Sequence, residues 1–254
     1  MAVTPVHCFI GLISGGKDSI FAISKLVSMG HELVCLANLY PINHEEIDSY
    51  MFQSVGSEVL ARFDEIIGVP IYRMPINGCP LSTSLEYQYT KGDEIEDLFN
   101  LLANIKNRHS NITSVSCGAI GSKYQSNRLH NICKRLNICP LCPLWGKDEA
   151  VILRDMIDFG LEAITVKIAC AGLTSNYLSH SINDKFYNKM LDLKFLYNAH
   201  ICGEGGEYET LVIYCPGLYK KRINIKDSNI VVLKDDKLAP VLILKIFDFS
   251  LEIP

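Results

Sequence analysis

The six residues Ser14-Gly15-Gly16-Lys17-Asp18-Ser19 constrain this chain more than any other segment. They follow a short apolar run over 7–13 and precede a helical pattern over 20–29, so they read as the turn of a strand–loop–helix unit. A helix N-terminus entered through glycines offers unpaired N–H groups and the positive end of a dipole, and together these hold an anion. Gly15 and Gly16 let backbone approach phosphate oxygens. Lys17 adds a mobile point charge, and Ser14 and Ser19 add hydroxyl donors. Asp18 is suited to Mg²⁺, directly or through water. An ordinary βα turn accounts for the glycines but not for this set of side chains around them.

The rest of the first half repeats the unit. Strand patterns over 32–39, 71–74 and 114–120 alternate with helical spacing over 47–63, 94–106 and 127–136. Such alternation predicts an α/β fold, a Rossmann-like parallel sheet covered on both faces, with ligands beyond the carboxyl ends of the strands. Loops at 14–19, 38–41 and 118–125 therefore converge on one edge. Past Pro140 and Pro143 the pattern changes to helices over 150–159 and 186–197, a strand over 163–169, and closely spaced strands over 209–214, 223–225, 230–233 and 241–247. This predicts a smaller α+β domain, with residues 1–138 forming the first domain and 139–254 the second.

Charge and cysteine usage narrow the class. A formal net charge of -4 without a basic stripe argues against an extended nucleic-acid surface, and Lys220-Lys221-Arg222 reads as a solvated strand end. The ten cysteines lie mostly in apolar runs, where a free thiol behaves as a small hydrophobe. Cys139-Pro140-Leu141-Cys142 has metal-ligand spacing, but no second pair follows it, and the flanking prolines favour a rigid connector. The seven histidines form no ligand spacing, so neither a catalytic histidine nor a structural zinc is expected. The apolar segment near the N-terminus is too short for a membrane span and lacks a cleavage signal, which points to a cytoplasmic protein.

The second chemically dense stretch is Gly203-Glu204-Gly205-Gly206-Glu207-Tyr208-Glu209-Thr210. Three glutamates within six residues repel one another, an odd choice for a plain turn and a fitting one for a cation, a metal or ammonia.

Neither GxxxxGK[ST] nor GxGxxG is present. The loop at 14–19 instead resembles the pyrophosphate-binding loop of the N-type ATP pyrophosphatases, which cleave ATP between the α and β phosphates. The match extends through Leu36-Ala37-Asn38-Leu39, Asp48-Ser49-Tyr50-Met51-Phe52-Gln53, Gly92-Asp93-Glu94-Ile95-Glu96-Asp97-Leu98, Gly118-Ala119-Ile120, Tyr124-Gln125, Arg128, Asn131-Ile132-Cys133-Lys134-Arg135-Leu136 and the stretch at 203–210. With these, the chain resembles the diphthine–ammonia ligase (diphthamide synthetase) family nearly end to end. The resemblance implies a fold of the adenine nucleotide α-hydrolase (HUP) type. It also implies ATP-dependent amidation, with ammonium, of diphthine on translation elongation factor 2, through an acyl-adenylate. ATP with Mg²⁺ would be held at 14–19, with Mg²⁺ on Asp18. Ala37, Asn38 and Leu39 would contact adenine, and Gly118 would let the nucleotide approach.

Catalysis is expected from Lys17, Asp18, Glu204, Glu207 and Glu209. Substrate contacts are expected from Tyr50, Gln53, Tyr124, Gln125, Arg128, Gly205, Gly206, Tyr208 and Thr210. Arg128 would serve as a second cation near the triphosphate, and Tyr208 or Tyr124 would face the trimethylammonium group. No nucleic-acid or membrane partner is expected. Two other readings of the same residues are a tRNA-thiolating or tRNA-amidating member of the superfamily and a nucleotide-binding sensor without turnover.

Overall fold

A computed structural model of the chain describes residues 5–42, 51, 56 and 58–254. The first half begins with β1 (Cys8–Leu12), α1 (Lys17–Ser28) and β2 (Glu32–Pro41). A short 3-10 turn (Val59–Arg62), α2 (Phe63–Ile67), β3 (Ile71–Ile76) and α3 (Glu94–Arg108) follow. The half closes with β4 (Ser114–Ser116), α4 (Lys123–Leu136) and β5 (Cys139–Leu141). These strands form one sheet in the order β3-β2-β1-β4-β5, every pair parallel. The order reverses between β1 and β4, so the loops leaving those two strands part and open a crevice at their carboxyl ends.

The period-two alternation of the strands decides what covers each face. Ile10, Cys35, Ala37 and Val115 point toward Leu98, Leu102, Leu129 and Ile132 of α3 and α4. Phe9 and Leu36 point the other way, into a core with Ile20, Phe21 and Ile23 of α1 and Phe63 and Ile66 of α2. That second core continues without a break into the rest of the molecule.

The second half consists of α5 (Glu149–Asp158), β6 (Glu162–Ile168), α6 (Asp184–Tyr197), β7 (Tyr208–Tyr214), β8 (Arg222–Lys234) and β9 (Val241–Glu252). Its four strands form an antiparallel sheet in the order β7-β6-β9-β8. The sequence patterns over 223–225 and 230–233 belong to a single strand, β8, whose pairing with β9 shifts register around Asp227. This bulge interrupts the alternation without ending the strand. The segment expected to be a connector, 139–142, contributes β5, which pairs with β4 at Ser114↔Cys139 and Ser116↔Leu141. Proline is tolerated there because β5 lies at the sheet edge. The expected helix over 47–63 falls largely outside the described residues, and the described part holds the 3-10 turn and α2. The run at 220–222 is paired on the surface, Lys221 with Glu65 and Arg222 with Glu162. No helix among the described residues is long and apolar enough to cross a membrane.

Candidate active site

Among the helices of ten residues or more, capping sets one helix start apart. Asp93, Ser122, Asp148 and Asn183 each accept a backbone N–H at the start of α3, α4, α5 and α6. The start of α1 has Gly16 at that position and no side-chain cap. Its first residues, Lys17, Asp18 and Ser19, face the crevice at the positive end of the helix dipole. Gly15, at φ +80°, makes the turn into this helix in the left-handed region that glycine alone enters cheaply.

A cavity of about 280 Å³ opens at this point. Its walls include Ser14, Lys17, Asp18 and Ser19, the β2 end at Ala37, Asn38 and Leu39, and Gly118 and Gln125 beyond β4. The second half contributes Glu204, Gly206, Tyr208, Glu209 and Thr210. The glycine-acid stretch is thus a wall of the phosphate-loop cavity rather than a remote site. Five hydrogen bonds join this stretch and its flanking residues to the first half. Lys17 N donates to Thr210 Oγ1 at 3.0 Å, and Val212 N donates to the Gly15 carbonyl at 2.9 Å. Lys17 Nζ donates to the Cys202 carbonyl, and the Glu204 carboxylate accepts from Ile120 N at 2.7 Å and Gly121 N at 2.9 Å.

Lys17 is only 2% exposed and has three partners: Asp18 Oδ2 at 2.9 Å, the Cys202 carbonyl, and the Tyr208 ring, whose centroid lies 4.8 Å away. Asp18 Oδ1 is shut from water and has no hydrogen-bond partner. Loss of water pushes the Asp18 carboxyl above the ordinary carboxylate range, opposed by Lys17 and reinforced by the charge of Glu204. A buried carboxylate oxygen with no protein partner, at the positive end of a helix dipole, fits a bound divalent cation and the phosphates it accompanies. Metal binding favours the ionised carboxylate, so protonation competes with it. Affinity for Mg²⁺-ATP should therefore fall on acidification at a higher pH than an ordinary aspartate would dictate, which calorimetry across pH would measure.

The three glutamates separate in space. Glu209 lines the cavity and pairs with Lys167 of β6 at 3.3 Å. Glu204 also lines it, with both oxygens held by the amides named above. Glu207 lies outside the lining; its Oε1 accepts from His200 N at 2.6 Å and its Oε2 is buried without a partner. Gly205 also lies outside the lining.

Several other expected residues have different surroundings. Arg128 is fully buried, with Nη1 donating to the Tyr124 carbonyl at 3.3 Å and Nη2 to the carbonyls of Ser82 and Ser84, the latter at 3.0 Å. It fastens the 82–84 loop to α4 and does not line the cavity. Tyr124, which carries the Arg128 guanidinium 3.2 Å above its ring centre and donates to the Ser82 carbonyl, does not line it either. The rings proposed for the trimethylammonium group, Tyr208 and Tyr124, thus each already carry a cation of the protein itself. Asn38 lines the cavity with its side chain bonded to the protein, donating to the Ile13 carbonyl at 3.1 Å and accepting from Arg73 Nε at 2.9 Å. Tyr50 and Gln53 lie outside the described residues.

A Cβ on Gly118 would stand 2.7 Å from the Asp18 carbonyl carbon and the Ser19 nitrogen. Its bare backbone is what lets α1 pack against the β4 loop. Two residues that spacing gave no reason to single out also meet here. His200 Nδ1 lies 3.1 Å from Glu149 Oε2, and His200 Nε2 lies 3.7 Å from Glu204 Oε2. Cys117 lines the cavity, while Cys139 is exposed. Among the described residues no group of three or more His, Cys, Asp or Glu side chains could hold a metal by itself.

The chain matches the family model of the diphthamide synthase N-terminal domain over residues 8–140 and that of the C-terminal domain over residues 148–238. It is 47% identical over 223 residues to a diphthine–ammonia ligase of Schizosaccharomyces pombe, covering 87% of this chain but only 36% of that protein. The chain thus spans about a third of that fungal relative. It is 45% identical to a Danio rerio diphthine–ammonia ligase, covering 93% of each chain. A Homo sapiens protein of the same name is 40% identical, over 95% of this chain and 91% of its own. Two matching domain models in order along the chain, and relatives matched nearly end to end, establish that the chain belongs to the diphthamide synthase (diphthine–ammonia ligase) family.

Proposed function

We propose that this protein amidates diphthine on translation elongation factor 2, using ATP and ammonium and releasing AMP and pyrophosphate. The observation that carries the reading is the joining of the phosphate loop and the glycine-acid stretch in one cavity, which lets activation and amidation share one carbonyl carbon. The relatives' name supplies the substrate pair, diphthine and ammonia.

Residues 14–19 would hold the β and γ phosphates, and Asp18 would hold Mg²⁺, which would supply charge screening at the phosphates. Ala37, Asn38 and Leu39 support adenine through backbone and apolar contact. A diphthine carboxylate oxygen attacks the α-phosphorus, the bond to the β-phosphate oxygen breaks, and pyrophosphate leaves toward Lys17 and the start of α1. Ammonia then attacks the acyl-adenylate carbonyl; the bond to AMP breaks and one proton is lost from nitrogen. Only neutral ammonia is a nucleophile, so a base must first deprotonate ammonium. Glu209 suits that duty best of the three glutamates, because it faces the cavity with Lys167 as its ion-pair partner, whereas both oxygens of Glu204 accept backbone amides and Glu207 lies outside the lining. No protein-bound covalent intermediate is required; positioning and charge stabilisation suffice. In this reading the parallel-sheet half, through β5, supplies the nucleotide domain and the segment from α5 onward the substrate side. Ten unpaired cysteines suit the reducing cytosol, where a translation factor is at hand.

The activation step has a direct test. With heavy oxygen in the diphthine carboxylate, one labelled oxygen is expected in the AMP released. Label found in pyrophosphate, or AMP without label, would sink the acyl-adenylate route.

A further inference from the structure

The turn over 200–204 brings two groups to the nucleotide half: the Cys202 carbonyl to Lys17 and the Glu204 carboxylate to the amides of Ile120 and Gly121. A segment with such a duty needs its own anchor, and the anchor is Glu149 in the first turn of α5. Glu149 Oε2 accepts from Ile201 N at 2.7 Å, its Oε1 pairs with Lys194 at 2.8 Å, and its carbonyl accepts from Cys202 Sγ at 3.1 Å. His200 bridges Glu149 to the far end of the turn, where Glu204 N lies 3.3 Å from His200 Nδ1. With a proton on Nδ1 the ring donates to Glu149; without it, Nδ1 accepts from the Glu204 amide. Both states tie the ring to the turn. Tyr208 completes the brace from inside, its hydroxyl donating to the Ile201 carbonyl at 2.8 Å.

We propose that Glu149 and His200 are a positioning pair for ATP. They fix the 200–204 turn so that Glu204 clamps the loop carrying Gly118 and Ala119 and Cys202 orients Lys17. Neither side chain lines the cavity, so neither touches nucleotide, and both act through Glu204 and Lys17. This deepens the proposed reaction and rests on it for its substrates.

The test is steady-state amidation with Mg²⁺-ATP and ammonium varied in turn. It is paired with calorimetric binding of a non-hydrolysable ATP analogue to the enzyme alone. His200→Ala and Glu149→Ala are each expected to raise KM for ATP and weaken the analogue about tenfold, the size of one charge-assisted hydrogen bond lost. KM for ammonium should stay at the wild-type value. His200→Asn puts an amide near the Nδ1 position, able to donate to Glu149 or accept from Glu204 N, and should recover most of the ATP affinity. The inference is overturned if ATP affinity is unchanged in His200→Ala. It is equally overturned if KM rises for ammonium instead, or if the variants melt at lower temperature while the folded fraction binds the analogue normally. A wild-type protein that binds the analogue yet forms no amide would remove the functional reading alone, and analogue affinity in the variants would still decide the positioning pair.

Discussion

Lys17→Ala should slow AMP formation sharply, with kcat/KM for ATP lower by about 10²–10³-fold, the range found when one preorganised donor to developing negative charge is removed. Two losses combine in that substitution. The departing pyrophosphate loses a lysine buried in the wall of the cavity, and Asp18 loses the cation that opposes its desolvation. The Asp18 carboxyl would then rise further above its ordinary range, so Mg²⁺-ATP affinity should both weaken and fail at a higher pH than in the wild type. Lys17→Arg is a poor rescue. The lysine is 2% exposed between Asp18, the Cys202 carbonyl and the Tyr208 ring, and a planar guanidinium does not fit a place built for a compact ammonium. Pyrophosphate release by both variants, with melting temperature as the folding control, checks the prediction. Wild-type turnover in Lys17→Ala would remove the loop from the chemistry.

Gly118→Ala is the second large effect. A methyl group there would meet backbone atoms of Asp18 and Ser19 at 2.7 Å, and backbone cannot rotate away as a side-chain tip can. Overpacking of this kind costs about 1–3 kcal/mol of stability. The strain falls on the start of α1, so ATP affinity should drop more than stability does. Calorimetry with the analogue and a thermal melt separate the two. A variant with wild-type affinity would mean that the α1–β4 packing does not set the phosphate site.

The parts of the site that were legible in the sequence are those whose chemistry is local. The loop at 14–19 carries its glycines, lysine, aspartate and serines in one short run, so the turn, helix dipole and charges could be read together. Buried strands such as β1 and β2 were equally plain, because sheets covered on both faces need continuous apolar runs. Interactions across distance were not legible. Glu204 reads as an exposed acid among glycines, yet Ile120 N and Gly121 N, more than eighty residues away in sequence, occupy both of its oxygens. Arg128 reads as a spare cation, and only the fold reveals three carbonyls around it. His200 carries no ligand spacing because its partners, Glu149 and Glu204, come from α5 and from its own turn. Gly118 lines the cavity, and only the fold shows that its missing Cβ also makes room for the start of α1. The bulge at Asp227 hid the continuity of β8 for a simpler reason: it breaks the period on which strand recognition depends.

The central claim is that one cavity activates the diphthine carboxylate with ATP and delivers ammonia to it. The most direct measurement incubates the purified chain with ATP, ammonium and elongation factor carrying diphthine, then follows the modified peptide by mass spectrometry alongside the nucleotides. The expected result is the mass loss of an acid-to-amide exchange, dependent on all three substrates and on Lys17, with AMP formed in equal amount. Amide formation without AMP, or AMP and pyrophosphate released while the peptide mass stays unchanged, would contradict it.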